Sequence, residues 1–218
     1  MKSPLPRLFR ALERFHASRP WDHNAHYHRW ILRQLPGRFD SALDVGSGSG
    51  DLVRLLATRA GTVHGIDADA TVVARARELT GPAAPVTFAV GDALREMPQG
   101  PHDVITCAAA VHHMPFGPAL ARFRQHLASG GTLVVVGLYR PRSRTDYLID
   151  AVAIPSNVAM AWIKNRGRKA PPPASMTAPT RPATMSFAEI TREARRELPG
   201  ALLRRRLFWR YTLVWRRD

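Results

Sequence analysis

Cysteine occurs once in the 218 residues, at Cys107. A single thiol excludes an internal disulfide framework and any multi-thiolate metal centre. No apolar run approaches the roughly 20 residues that cross a bilayer. The N-terminal stretch MKSPLPRLFRALERF is basic, but it has no uninterrupted apolar core and no small-residue cleavage site. It does not read as a secretory signal, so the expected location is cytoplasmic. Lysine is scarce: only Lys2, Lys164 and Lys169 appear among 32 basic residues, and the rest are arginine. Acid is scarce as well, with 17 Asp and Glu leaving a net charge of +15. The surplus is uneven: residues 1–139 hold 15 basic and 11 acidic residues, whereas residues 140–218 hold 17 and 6. Such a basic C-terminal third attracts nucleic acid, an anionic surface or an acidic substrate, or is simply a solvated arginine-rich face.

With 45% apolar residues, the chain has enough material for one sizeable core. Leu5, Leu8, Phe9, Leu12 and Phe15 recur at helical spacing, and a second helix is expected from about Asp22 to Leu35, ended by Pro36-Gly37. Five short, β-branched runs follow at Ala42–Val45, Thr62–Ile66, Val86–Val90, Asp103–Cys107 and Thr132–Gly137. Helical segments near 51–59, 69–80 and 116–128 separate them. Strands alternating with helices predict right-handed βαβ units and a parallel sheet. Six prolines between Pro155 and Pro182 interrupt this rhythm, although Asp146–Trp162 is apolar enough for a helix. Ser186 and Glu189 then form a capping-box signal for a helix to Leu198. Residues 201–216 alternate as one strand or a tight strand pair, with Leu207, Trp209, Tyr211, Leu213 and Trp215 assigned to one face. No Asn-Gly or Asp-Gly settles which.

The most specific segment is Ala42-Leu-Asp-Val-Gly-Ser-Gly-Ser-Gly-Asp-Leu52, in which a strand ends at Asp44 and a helix begins near Asp51. Gly46, Gly48 and Gly50 there allow a ligand to approach the backbone. The spacing is Gly-x-Gly-x-Gly, whereas the dinucleotide fingerprint is Gly-x-Gly-x-x-Gly, and its third glycine is replaced by Asp51. A carboxylate at a helix start disfavours pyrophosphate, which argues against a nicotinamide oxidoreductase and for a cofactor without phosphate.

On these residues the chain resembles the class I, Rossmann-like S-adenosylmethionine-dependent methyltransferases, across roughly residues 22–139. LDVGSGSG resembles that family's first motif, His64-Gly-Ile-Asp67 its second, and Val90-Gly-Asp92-Ala93 its third. Leu127-Ala-Ser-Gly-Gly-Thr-Leu133 resembles the turn into its fifth strand. The resemblance implies a doubly wound α/β fold with a mainly parallel seven-stranded sheet and an antiparallel C-terminal strand. N-terminal helices and an insertion after the fifth core strand would complete it. The implied layout is a helical lid at 1–36, a cofactor-binding core at 37–139, a substrate-side insertion at 140–185, and a C-terminal helix and strands at 186–218. S-adenosylmethionine would lie on Gly46, Ser47, Gly48 and Gly50, with Asp44 holding its ammonium and Asp67, beside Ala68, its ribose hydroxyls. Gly91, Asp92 and Ala93 would flank the adenine, and the backbone of Cys107 and Ala108 the methionine. Tyr27 or Arg29 would meet the methionine carboxylate.

The family resemblance further places His112 and His113, just after the fourth strand, near the transferred methyl. A histidine there suits a general base if the acceptor is a hydroxyl or a protonated amine, although packing is the plainer alternative. The cluster Asp22-His23-His26 lacks recognised metal-ligand spacing, so no metal is expected. The expected reaction is methyl transfer to an oxygen, nitrogen or carbon of a small, apolar or aromatic acceptor. Trp21, Trp30, Phe116, Tyr147 and Trp162 are its candidate walls. The alternative acceptor is RNA or another nucleic acid, served by the basic C-terminal third. Against that stands Ala-Ala-Ala-Val-His-His after the fourth strand, where base-amino methylating enzymes carry Asn/Asp-Pro-Pro-aromatic. A third alternative, a regulatory protein that keeps the fold, is opposed by the intact glycine loop and both acidic positions.

Overall fold

The computed structural model describes residues 14–82, 85–173, 176 and 181–218. The expected helix over residues 5–15 therefore lies almost wholly outside the described residues, and only helical residues 14–18 are seen there. Seven strands form one sheet: β1 (Phe39–Val45), β2 (Ala60–Asp67), β3 (Val86–Val90), β4 (His102–Ala108), β5 (Leu127–Leu138), β6 (Leu202–Arg206) and β7 (Arg210–Arg216). Their spatial order is β3-β2-β1-β4-β5-β7-β6. The first five are parallel, and β7 runs antiparallel to both β5 and β6. The order reverses between β1 and β4, which opens a crevice beyond the carboxyl ends of those strands.

Period-two alternation sends neighbouring residues of each central strand to opposite faces. Leu43, Ile105 and Leu133 join the core on one face, while Ala42, Val104 and Val134 join the core on the other. Among the described residues the sheet is flanked by helices α1 (His23–Gln34), α2 (Asp51–Leu56), α3 (Ala70–Thr80), α4 (Phe116–His126), α5 (Arg144–Lys164) and α6 (Phe187–Glu197). Asp22 caps α1 through its carboxylate, and Ser186 with Glu189 closes the capping box of α6.

Two expectations need correction. Residues 127–131 form no separate turn, because β5 already begins at Leu127. The register with β4 shifts there, from His102–Leu127 to Val104–Thr132, and Gly130 at φ +75° takes up the slack. The C-terminal alternation is a hairpin, and Leu207 and Trp209 lie in its turn instead of on a strand face. Phe208 and Trp209 are left-handed there, at φ +61° and +59°. This is costly for bulky residues, and α1 together with Trp21 just before it holds the turn in place. Phe208 packs edge-to-face on Trp21 at 4.9 Å, and the Tyr27 hydroxyl donates to the Leu207 carbonyl at 2.8 Å.

Candidate active site

The chain leaves β1 directly over the crevice. Gly46 and Gly48 have φ of +73° and +52°, and a Cβ on Gly46 would collide with the Ala110 methyl. Glycine is therefore required at Gly46 by both backbone conformation and packing. The Gly46 and Ser47 amides donate to the Ile66 carbonyl at 2.8 and 3.1 Å. The Gly48 amide donates to Asp67 Oδ2 at 2.9 Å, so the loop and the end of β2 form one unit. At Gly48 an added Cβ would meet nothing within 4 Å. Ser47 is buried, and its hydroxyl has no hydrogen-bond partner among the described residues.

Asp44 is buried at the end of β1 and accepts a 2.6 Å hydrogen bond from the Thr106 hydroxyl. Burial pushes its carboxyl up to about 7; the Thr106 bond opposes this and the Asp67 charge adds to it. No cationic side chain pairs with Asp44 among the described residues. Asp67 also accepts from the Asp69 amide through Oδ1 at 3.0 Å, and its carbonyl accepts from the Gly91 amide at 3.0 Å. Ala68 is exposed beside it, Asp92 is exposed, and Ala93 is buried. Asp92 caps its own turn, accepting from the Leu94 amide at 2.9 Å. Asp51, the residue that departs from the dinucleotide pattern, begins α2 paired with Arg54 at 2.6 Å.

On the other side of the crevice, Ala108 ends β4 and Ala109 is left-handed at φ +56°. The chain then makes a single 3₁₀ turn at Val111–His113. Cys107 is fully buried in the core, and burial drives its thiol far above the ordinary range, so only its backbone can face the crevice. His112 and His113 lie against each other, with ring centroids 4.1 Å apart. Burial, the neighbouring His113 and Arg210 pull His112 down to about 4. Its Nδ1 is buried without a partner among the described residues. His113 is exposed and is also lowered, by burial and by Arg181, with Asp67 opposing.

The structure does not bring every expected residue to this crevice. The Tyr27 hydroxyl is occupied by the hairpin turn, and Arg29 lies on the exposed side of α1. His28 is also buried on α1, and burial lowers it, with the charges of Asp22 and Asp51 opposing. Nor do the five expected aromatic walls converge. Trp21 packs in a minor core with its indole N–H on Asn157 at 2.7 Å, and Phe116 is in the main core. Trp30 stacks under Arg206, while Tyr147 and Trp162 are exposed. Among the described residues, no three His, Cys, Asp or Glu side chains form a metal-ligand group.

Sequence reasoning missed three polar groups on the β5–β7 side. The Tyr139 hydroxyl and Asp150 Oδ1 are buried without partners among the described residues, and burial pushes Tyr139 up to about 12. Arg210 is buried on β7, where its guanidinium donates, among the described residues, to neutral oxygens, Asn24 Oδ1 and the Phe208 carbonyl. An arginine inside an alternating apolar strand reads as an outward-facing residue, and nothing local marks it as buried.

Residues 42–131 match the family model described as a methyltransferase domain. An uncharacterized methyltransferase of Mycobacterium tuberculosis (strain H37Rv) is 32% identical over 203 residues, spanning 90% of this chain and 97% of that protein. The 2-methyl-6-phytyl-1,4-hydroquinone methyltransferase of Synechocystis is 36% identical over 104 residues, 47% of this chain and 33% of that protein. Among solved structures, an S-adenosylmethionine-dependent methyltransferase from Mesorhizobium loti superposes with a TM-score of 0.60. It is 18% identical, with 89% of this chain and all of that one covered.

Proposed function

The chain belongs to the class I, Rossmann-like S-adenosylmethionine-dependent methyltransferases, and from that premise we propose that it methylates a small, apolar or aromatic acceptor beside His112 and His113. The observation that carries the reading is the unit made by the glycine loop and Asp67, set across the crevice from the 3₁₀ turn bearing both histidines. The residues fit the donor. Gly48 leaves space for a ligand against the backbone, and Ser47 offers a buried, unpaired hydroxyl. Asp44 is a buried carboxylate without a cation, which the donor's ammonium would stabilise. Asp67 keeps its side chain at the loop for two ribose hydroxyls.

S-adenosylmethionine supplies a methyl already activated on a sulfonium. The protein's task is therefore to hold the acceptor atom in line and, where needed, accept its proton. His112 is held neutral; its ring donates to the Arg181 backbone, which leaves Nδ1, unpartnered among the described residues, as a proton acceptor. Tyr139 and Asp150 add further hydrogen-bonding groups for the polar end of an otherwise apolar acceptor. The name of the Synechocystis relative, an aromatic alcohol bearing a long hydrocarbon tail, supports that class. We place the protein in the cytoplasm, with a small-molecule acceptor favoured over a nucleic acid. Three of the arginines behind the nucleic-acid alternative are engaged within the protein: Arg205 with Asp146, Arg206 with Trp30, and Arg217 with the Arg124 and Leu127 carbonyls.

The test is incubation with methyl-labelled donor against pooled small aromatic and isoprenoid compounds and, separately, against RNA. Label is expected in the small-molecule pool. Label appearing only in RNA overturns the reading.

A further inference from the structure

Helix α5 has its polarity reversed. Its buried positions are Asp146, Ala153, Asn157 and Ala161. Arg205 Nε donates to Asp146 at 2.7 Å, and Asn157 accepts from the Trp21 indole and lies 2.9 Å from His23 Nε2, so the polar side is fixed to the body of the protein. Every exposed residue from Ala151 through Ile163 is apolar. Tyr147, Leu148, Val152, Ile154, Trp162 and Ile163 are 40 to 69% exposed. At 100° per residue these positions fall on one side of the helix, opposite the buried four. With 21 residues, the helix presents this face over about 31 Å. A contiguous apolar face of this size marks a surface that is covered in use.

Charge identifies what covers it. Exposed Arg142 and Arg144 stand at the start of the helix, and exposed Lys164, Arg166, Arg168 and Lys169 at its end. The two acids on the helix, Asp146 and Asp150, face inward. A second copy of the chain would bring these cationic ends together with no acid between them. An anionic lipid surface meets both features at once. We propose that α5 is an interfacial helix, lying in the plane of an anionic bilayer with its apolar side in the headgroup–acyl boundary. The inference does not depend on the identity of the acceptor. The helix does not cross the bilayer, and no described helix is long and apolar enough to do so.

The test is flotation of the full chain with vesicles of equal parts phosphatidylglycerol and phosphatidylcholine, and with phosphatidylcholine alone. The protein is expected to float with the anionic vesicles and to float at least about tenfold less with the neutral ones. The double variant Leu148→Glu/Ile163→Glu should lower its partitioning into anionic vesicles by at least about tenfold. Both substituted side chains are exposed, so S-adenosylhomocysteine binding by calorimetry and the melting temperature should match those of wild type. Flotation with neither vesicle, equal flotation with both, or flotation unchanged in the double variant overturns the proposal. So does a dimer, seen by sedimentation velocity, that the same variant dissociates.

Discussion

The two sides of the crevice bury opposite charges in different company. On the β1–β2 side, Asp44 is a carboxylate with a hydroxyl donor and no cation. On the β5–β7 side, Arg210 is a guanidinium bonded, among the described residues, to amide and carbonyl oxygens only. Elsewhere in the basic third, charge is neutralised where it is buried. Arg205 meets Asp146, and although burial alone would raise that carboxyl, bonds from the Arg142 and Ser143 amides, the Ser143 hydroxyl and Arg205 hold it at about 2. A buried charge with its partner in the chain is architecture, whereas one without a partner costs the fold unless a ligand supplies the counter-charge. On the proposed reading, Asp44 answers to the ligand and Arg205 to the structure.

The largest effect is expected where the comparison is broken directly. Asp44→Asn keeps a side-chain oxygen for the Thr106 hydroxyl but removes the charge. Calorimetric affinity for S-adenosylhomocysteine should fall by about 100-fold, the scale of losing one partner of a buried ion pair. The raised carboxyl destabilises the free protein as pH climbs from its unfolded value toward about 7, because the folded state holds a proton that the unfolded state has lost. The melting temperature of the free variant at pH 8 should therefore rise by at least about 4 °C.

His112→Ala should reduce turnover by at least about tenfold while leaving S-adenosylhomocysteine affinity within about threefold. The pH profile sharpens this. An imidazole lowered to about 4 stays neutral well below 6.5, so a profile governed by His112 should fall only as pH approaches 4. Loss near 6.5 would point away from His112. Asp67→Ala should weaken S-adenosylhomocysteine about tenfold, through lost ribose hydrogen bonds and the freed Gly48 amide. The smallest effect is expected from Tyr27→Phe. It deletes the bond to Leu207 and should cost about 1 kcal/mol by denaturant titration, with donor affinity unchanged if the tyrosine is structural.

The shape of the glycine loop was legible because its geometry is local. Asp44, the glycines and Asp67 lie within one strand–loop–helix–strand passage, and their roles depend on backbone conformation that glycine spacing encodes. The five parallel strands were legible for a similar reason, as runs buried on both faces. The acceptor side was not. Trp21 and Phe116 are attractive walls in the sequence and Tyr27 an attractive partner for the methionine carboxylate, but Tyr27 is engaged by Leu207, Trp21 by Asn157, and Phe116 by the main core. The hairpin turn was hidden because Phe208 and Trp209 adopt left-handed conformations without glycine or asparagine, held there by α1 together with Trp21. For α5, composition foretold a helix, but which side would face inward depended on Arg205 and Trp21 as partners.

Proton release tests the central claim most directly. At pH 7 a carboxyl with a pKa of about 7 is about half protonated, and an ammonium placed against it expels that proton. Calorimetry of S-adenosylhomocysteine binding in two buffers of different ionisation enthalpy should report release of up to about half a proton per ligand by the wild type. The account predicts that this release disappears in Asp44→Asn. Binding by the wild type with no buffer dependence, or a release that persists in Asp44→Asn, would contradict it.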